Sequence, residues 1–210
     1  MHRRHSLLGR SVRGCGSLLA ILLCACGGSH PHATQVAEAQ PNASVCSSFS
    51  DCSGQCDSGS ALGCQELAVL YETGKGIEQN YEKAAQLYDR ACNNGALKAC
   101  SYLAVMHEIG LSVVEDHKLA IELYRKACDG GLPEGCASLG QKYAEGLGVK
   151  TDLVLAAEFY KKACDQSHAM SCTQLALMNK KGKGMEPDAA TAHRLFQQAC
   201  TLGDKWACDQ

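Results

Sequence analysis

The cysteines are the residues of this sequence whose type and spacing could do chemistry. Ten of the fifteen form pairs eight residues apart, and each pair follows the previous one by thirty-six residues: Cys56/Cys64, Cys92/Cys100, Cys128/Cys136, Cys164/Cys172 and Cys200/Cys208. Paired thiols can bind zinc, attach haem, carry out redox exchange or form structural disulfides. The first three usually use a C-x-x-C motif, which this sequence lacks. The pairs therefore favour structural disulfides, and no metal or cofactor is expected.

The thirty-six-residue period also applies to the residues around the cysteines, which indicates a repeat array. Small and large apolar residues recur at four positions of each unit, which in the first unit are Ala84, Leu87, Tyr88 and Ala91. Spacings of three and four residues place them on one face of an α-helix. Gly74 and its register mates predict the end of a preceding helix, and Asn80 or an aspartate in its place predicts the next N-cap. Each unit is therefore predicted to contain two helices.

The spacing of eight between paired cysteines fits a helix–turn–helix junction. Within one helix, residues eight apart would lie about 12 Å apart, whereas a disulfide holds its Cα atoms roughly 4.4–6.8 Å apart. The residues between Cys92 and Cys100 include Asn93-Asn94-Gly95, which suits a helix end and a tight turn. The predicted fold is all-α: an α/α superhelical solenoid of about four 36-residue helix-turn-helix repeats, with a disulfide at each repeat junction.

The N-terminal segment carries the features of an export signal. An arginine-rich start precedes the short apolar stretch at 17–25, as in a secretory signal peptide. Residues 23–27 resemble a bacterial lipoprotein box, which implies acylation of Cys26; cleavage of an ordinary signal peptide nearby is the alternative. Removal of the signal and lipidation would leave twelve cysteines, so Cys46 and Cys52 could pair with each other. This cysteine density indicates an oxidising compartment.

Charge and motifs limit the classes of function. The net charge is −2 with both signs interspersed, so no basic surface for nucleic acid is expected. The sequence contains no Ser-x-x-Lys, Gly-x-Ser-x-Gly or His-Glu-x-x-His motif. A serine or zinc hydrolase of a known type is therefore not indicated.

The repeat itself resembles the Sel1-like repeat, a relative of the tetratricopeptide repeat. The pattern Leu-Ala-x-x-Tyr-x-x-Gly-x-Gly, starting at Leu67, is followed by Ala-x-x-Leu-Tyr-x-x-Ala-Cys-x-x-Gly, starting at Ala84. With a cysteine pair in every repeat, the sequence is similar to cysteine-rich proteins of the Hcp type. This resemblance implies a concave surface that binds a protein, a peptide or a cell-wall fragment. It also implies an alternative, because some such proteins are classed as penicillin-binding proteins or β-lactamases that would take a β-lactam ligand.

The resemblance places the first helix of each unit on the concave side, and the outward positions of these helices differ between units. We take as ligand-binding candidates Tyr102, Val105, Ile109, Gln141 and Leu177. An ordinary solvated face without a ligand would show the same variation, and a disulfide-hardened envelope spacer is a third interpretation.

The expected location is the periplasmic side of the outer membrane, since Gly27 rather than aspartate follows the acceptor cysteine, with secretion as the alternative. Contact with the membrane is expected through the lipid anchor alone. The expected organisation is a signal peptide (1–25), a lipidated cysteine and flexible tether (26–45), an N-terminal partial repeat or cap (46–60), four repeats (61–96, 97–132, 133–168 and 169–203) and a C-terminal cap (204–210).

Overall fold

The computed structural model describes residues 46–210. The predicted signal peptide, the predicted lipidation site Cys26 and the predicted tether lie outside these residues. The described part of the chain consists of helices and turns without a β-strand. The helices are α1 (Phe49–Asp57), α2 (Ala61–Thr73), α3 (Tyr81–Asn93), α4 (Leu97–Ile109), α5 (His117–Asp129), α6 (Pro133–Glu145), α7 (Leu153–Asp165), α8 (Ala169–Lys181) and α9 (Ala189–Thr201), followed by a short 3-10 helix (Ala207–Asp209).

Helices α2 to α9 form four pairs that repeat in register. Each first helix (α2, α4, α6, α8) and each second helix (α3, α5, α7, α9) has thirteen residues and begins thirty-six residues after its predecessor. The main contacts join helices that are consecutive in the chain. This arrangement confirms the predicted all-helical solenoid of two-helix repeats.

The helix ends follow from the residues that the period repeats. Every first helix ends at a glycine in the left-handed conformation, as Gly74 does at φ 68°. Every second helix begins at an Asn or Asp whose side chain accepts a hydrogen bond from a backbone N–H of the first turn, as Asn80 does from Lys83. These caps fix the loop between the two helices of a repeat.

Disulfides join consecutive repeats, as the fold prediction requires. The five bridges between cysteines eight apart have Cα–Cα distances of 4.3–4.8 Å and connect the end of one helix to the beginning of the next element. A sixth bridge joins Cys46 to Cys52 at the start of α1. All twelve cysteines of the described residues are thus oxidised, which indicates an oxidising, extracytoplasmic location.

The second cysteine of each internal pair is completely buried, although the sequence marks the cysteines as residues whose type could do chemistry. Cys64, Cys100, Cys136 and Cys172 are all 0% exposed, because each lies in the first turns of a first helix and faces the preceding repeat. Exchange with another thiol requires access to a disulfide sulfur, and these four sulfur atoms offer none. The predicted structural role is thus confirmed: Cys64 and Cys172, like Cys100 and Cys136, are disulfide-bonded and hold the fold together.

The core runs between the helix layers and consists mainly of alanines, cysteines, leucines and the aromatic residues of the second helices. Ala84, Ala91 and Tyr88 of α3 are fully buried, and their register mates in α5 and α7 are also buried. At the C-terminal end Trp206 covers the last helix, with its ring 5.9 Å from that of Phe196.

Candidate functional site

Three of the five sequence candidates for ligand binding lie on α4 and are accessible to solvent. Tyr102, Val105 and Ile109 are 42%, 44% and 61% exposed. The ring of Tyr102 also packs on Tyr88 of the preceding helix, with ring centroids 5.2 Å apart. These three side chains form an exposed apolar strip, but none of them borders the grooves described next.

The other two candidates border grooves between α6 and α8. Gln141 lines a groove of about 380 Å³, and the half-buried Leu177 lines a second groove of about 250 Å³ towards the C-terminal ends of the same two helices. Three residues border both grooves: Glu145, Tyr160 and Gln174. The structure therefore separates the α4 strip from Gln141 and Leu177.

Every second helix except α9 has a tyrosine at the same position, and the tyrosine of α7 borders the grooves. In the first repeat the Tyr88 hydroxyl donates to Glu72, and in the second the Tyr124 hydroxyl donates to Glu108 at 3.0 Å. Burial raises the pKa of both tyrosines well above the ordinary value, and the neighbouring carboxylate raises it further. Each of these hydroxyls is thus used inside its own repeat.

Tyr160, the tyrosine of the third repeat, has no such partner. The register position of Glu72 and Glu108 is occupied by Ala144, and within residues 46–210 the Tyr160 hydroxyl makes no hydrogen bond. The side chain is only 8% exposed but borders both grooves. Burial, with a smaller contribution from Glu145, raises the pKa of Tyr160 to about 12, so the hydroxyl remains a hydrogen-bond donor at neutral pH.

A glycine lets the Tyr160 ring take this position. A Cβ atom on Gly140 of α6 would lie 2.8 Å from two ring carbons of Tyr160, closer than van der Waals contact permits. The other first helices have alanine there: Ala68, Ala104 and Ala176. Tyr160 is not among the residues predicted from the sequence to bind a ligand, although two departures from the repeat pattern, Gly140 and Ala144, mark its surroundings.

The grooves carry polar groups and charges of both signs. Ser138, Gln141 and Gln174 offer hydrogen-bond donors and acceptors. Glu134 and Glu145 stand on α6, whereas Lys181 and Lys183 border the second groove at and beyond the end of α8. This distribution does not favour a polyanion or a polycation.

Neither a serine nor a histidine near the grooves is arranged for hydrolysis. Ser138 lies one helical turn from Lys142, but the Lys142 ammonium is paired with Glu108 and is not available as a base. The imidazole of His168 caps α8, with Nδ1 accepting from the backbone N–H of Ser171 at 3.3 Å and lying 2.8 Å from its hydroxyl. Ser171 is itself 1% exposed. The β-lactam alternative gains no support from this arrangement.

The described residues contain neither a metal-binding cluster nor a membrane-spanning helix. No group of three or more His, Cys, Asp or Glu side chains in residues 46–210 is placed to hold a metal ion. None of the helices in that range has both the length and the apolar character needed to cross a bilayer.

The repeat pattern identifies the family. The Sel1 repeat matches four consecutive segments, residues 61–95, 97–132, 133–168 and 169–204. The chain belongs to the Sel1-repeat family. This confirms the resemblance inferred from the sequence, and no curated protein matches the chain.

Solved Sel1-repeat structures are similar to this one. A protective antigen of uropathogenic Escherichia coli with an SLR fold gives a TM-score of 0.75 at 26% identity, covering 78% of this chain and 35% of that one. A Sel1 repeat protein from Oxalobacter formigenes gives 0.70 at 25% identity, covering 76% and 63%. This chain thus spans about a third of the first protein and less than two thirds of the second.

The cysteine-rich type is also represented among these similar structures. Helicobacter pylori cysteine rich protein B gives a TM-score of 0.51 at 31% identity, covering 62% of this chain and 96% of that one. This Sel1-repeat chain is therefore also similar to a cysteine-rich protein.

Proposed function

We propose that this Sel1-repeat protein is a disulfide-stapled scaffold of the bacterial cell envelope that binds a polypeptide on its concave face. The observation that carries the proposal is the contrast between constant and variable positions. The columns that build the repeats are held in register, whereas the outward positions of the first helices change from Val69 and Val105 to Gln141 and Leu177. Such variation on a constant framework suits a surface that contacts different parts of one extended partner.

The exposed strip on α4 supports a protein partner. Tyr102, Val105 and Ile109 are large apolar side chains that remain accessible on a single helix, and aromatic and aliphatic anchors of this kind contribute much of the energy of protein interfaces. A peptide or a cell-wall fragment could occupy the same face, so the test must distinguish faces as well as ligands.

Site-specific photocrosslinking in cells that produce the protein tests this proposal. A photoreactive residue at Val105 or Gln141 should give a discrete crosslinked polypeptide, whereas the same residue at the exposed Glu158 of α7 should give none. Equal crosslinking at all three positions, or none at any of them, would contradict binding on the face of the first helices.

We also propose that Cys26 carries the lipid anchor, that residues 1–25 are the removed signal peptide and that 26–45 form the tether to the repeat domain. Residues 46–60 and 204–210 would then cap the two ends of the array. Metabolic labelling with a fatty acid should be lost in Cys26→Ser and retained in Cys24→Ser. Labelling that survives Cys26→Ser would contradict the anchor, and fractionation of the labelled protein with the outer membrane would support the proposed location.

A further inference from the structure

We propose that the grooves around Tyr160 hold an extended peptide, and that the Tyr160 hydroxyl donates a hydrogen bond to one of its backbone carbonyls. The inference rests on the proposed scaffold function and names the site and the kind of contact. Helices α6 and α8 form the walls of the grooves, and α7 forms their floor.

Two changes from the repeat pattern meet at the Tyr160 side chain. Ala144 stands where the first two repeats have the glutamate that accepts a hydrogen bond from the tyrosine hydroxyl. Gly140 lacks the Cβ atom that would clash with the Tyr160 ring. The rest of the tyrosine's environment is preserved, since Ala156 and Ala163 of α7 are buried like their mates. The third repeat therefore presents a hydroxyl that the first two repeats use internally.

An occupant of the grooves must offer the Tyr160 hydroxyl a hydrogen-bond acceptor. The Tyr160 side chain is more than nine-tenths buried, but its oxygen is not fully enclosed and its side chain borders both grooves. A ligand that covered the hydroxyl without accepting a hydrogen bond from it would leave a buried polar group unpaired, which weakens binding. The site therefore favours an occupant that supplies the acceptor which the chain itself does not provide.

The polar side chains on the groove walls suit a peptide backbone as the source of that acceptor. Gln141 on α6 and Gln174 on α8 stand on opposite walls, and each primary amide can donate and accept. Every residue of an extended peptide, proline excepted, offers one N–H and one C=O, and main-chain hydrogen bonds are a common source of affinity for extended peptides. The Tyr160 side chain is only 8% exposed, so its ring is not free to stack against a sugar.

Size and charge agree with the same occupant. The larger groove, of about 380 Å³, falls within the roughly 300–1,000 Å³ of typical ligand sites. Glu134 and Glu145 border the larger groove, and Lys181 and Lys183 border the smaller one, so the two grooves together carry charges of both signs. A neutral backbone fits these walls better than an anionic polymer would.

A matched pair of tyrosine variants tests the proposal. The probe is a displayed library of random linear peptides, selected on the full disulfide-bonded protein. Tyr160→Phe should weaken the selected peptides about three- to tenfold, which is the range expected for one hydrogen bond. Tyr124→Phe should leave their affinity unchanged, because that hydroxyl is bonded to Glu108 within the repeat.

A second variant closes the site without removing the tyrosine. Ala144→Glu restores the carboxylate found in the first two repeats, which should engage Tyr160 and weaken the peptides to a similar extent. Combined with Tyr160→Phe it should cause little additional loss, because both changes remove the same contact. Circular dichroism and a thermal transition of the disulfide-bonded variants would verify that each remains folded.

The possible outcomes separate the site from the proposed function. Peptides that bind the Tyr160→Phe and Ala144→Glu variants normally but do not bind Ile109→Ala would overturn this site and leave the scaffold function standing. Selective binding of peptidoglycan glycan strands that is lost in Tyr160→Phe would overturn the peptide as occupant. A protein that selects no peptide at all would contradict the proposed peptide binding together with this site.

Discussion

Two serines adopt the left-handed backbone conformation that the other repeats reserve for glycine. Ser112 has φ 55° where the register mates are Gly76, Gly148 and Gly184, and Ser167 has φ 66° where they include Gly131. A side chain in this region is strained by about 1 kcal/mol or more. Part of the cost of that strain is offset, because folding removes less backbone entropy from a serine than from a glycine.

We expect Ser112→Gly and Ser167→Gly each to raise the free energy of unfolding by about 0.5–1 kcal/mol, since relief of strain exceeds the added entropy of the unfolded chain. Urea unfolding of the oxidised protein measures the change. Ser58→Gly is the matched control, because Ser58 has an ordinary φ of −76°, and it should give no increase. A gain at Ser58 equal to that at Ser112 would contradict the explanation.

Ser101 has the only fully enclosed side-chain oxygen or nitrogen in the described residues without a hydrogen-bond partner. In the next repeat the same position is Ala137. Ser101→Ala should therefore stabilise the protein by about 0.5–1 kcal/mol, because it removes an unsatisfied hydroxyl without opening a large cavity. A loss of stability in thermal unfolding would show that the hydroxyl has a partner after all.

At the scale of helices, a cluster of charged and polar side chains ties α4, α5 and α6 together. Glu108 of α4 accepts from Tyr124 of α5 and pairs with Lys142 of α6. The side chain of Lys142 is only 8% exposed and that of Glu108 is 21% exposed. The register mates Met106 and Met178 show that the position of Lys142 otherwise holds an apolar residue.

Lys142→Met should lower the free energy of unfolding by about 1–2 kcal/mol, because the partly buried Glu108 carboxylate would lose the ammonium group that neutralises its charge. Adding Glu108→Ala should recover most of the loss. Urea unfolding of the two single variants and the double variant measures the coupling. Additive losses would mean that the pair does not act as a unit.

The N-caps of the second helices make part of the stability depend on pH. A backbone hydrogen bond from Leu119 lowers the pKa of Asp116 below its ordinary value, and hydrogen bonds from Thr191 lower that of Asp188. A carboxyl whose pKa falls on folding stabilises the protein above its unfolded pKa, near 3.8. This stabilisation is lost as the pH drops through the folded pKa.

We therefore expect Asp116→Asn, which keeps a capping oxygen that does not titrate, to lose less stability than the wild type between about pH 5 and pH 2. Thermal unfolding over this range gives the two slopes. Asp188→Asn should behave alike, since both residues cap in the same way. Parallel slopes for wild type and variants would contradict the assigned role.

At the scale of the molecule, each helix contacts mainly the helices next to it in the chain. The junctions between repeats therefore determine whether the whole array unfolds in a single transition. The bridge between Cys128 and Cys136 lies in the centre and is buried, whereas the bridge between Cys200 and Cys208 lies at the end and is partly exposed. Each closes a loop of the same length.

Replacing Cys128 and Cys136 by alanine should cost about 2–3 kcal/mol and separate unfolding into two transitions, one of the helices up to α5 and one of the helices from α6 onwards. The corresponding change at Cys200 and Cys208 should cost less and keep a single transition, because only the terminal cap is released. Calorimetry distinguishes these outcomes. A single transition in the central variant would show that packing alone couples the two halves.

The period of the sequence was sufficient to predict the helix pairs, their caps and the junction disulfides, because these depend on residues close together in the chain. Helix ends at Gly74 and Asn80 are local effects of one residue on its own backbone. The grooves could not be predicted in this way. They depend on which side chains of α6, α7 and α8 meet, and apolar character directed attention to α4 although the unpartnered hydroxyl is on α7.

The short span of every disulfide has a consequence for how the protein is made. Each cysteine of residues 46–210 is bonded to its neighbouring cysteine in the chain, and no bridge passes over another. A chain that enters an oxidising compartment from its N-terminus presents these partners one pair at a time. Oxidation in order of arrival therefore gives the native pairing, so maturation of this protein should depend little on an enzyme that reshuffles wrong disulfides.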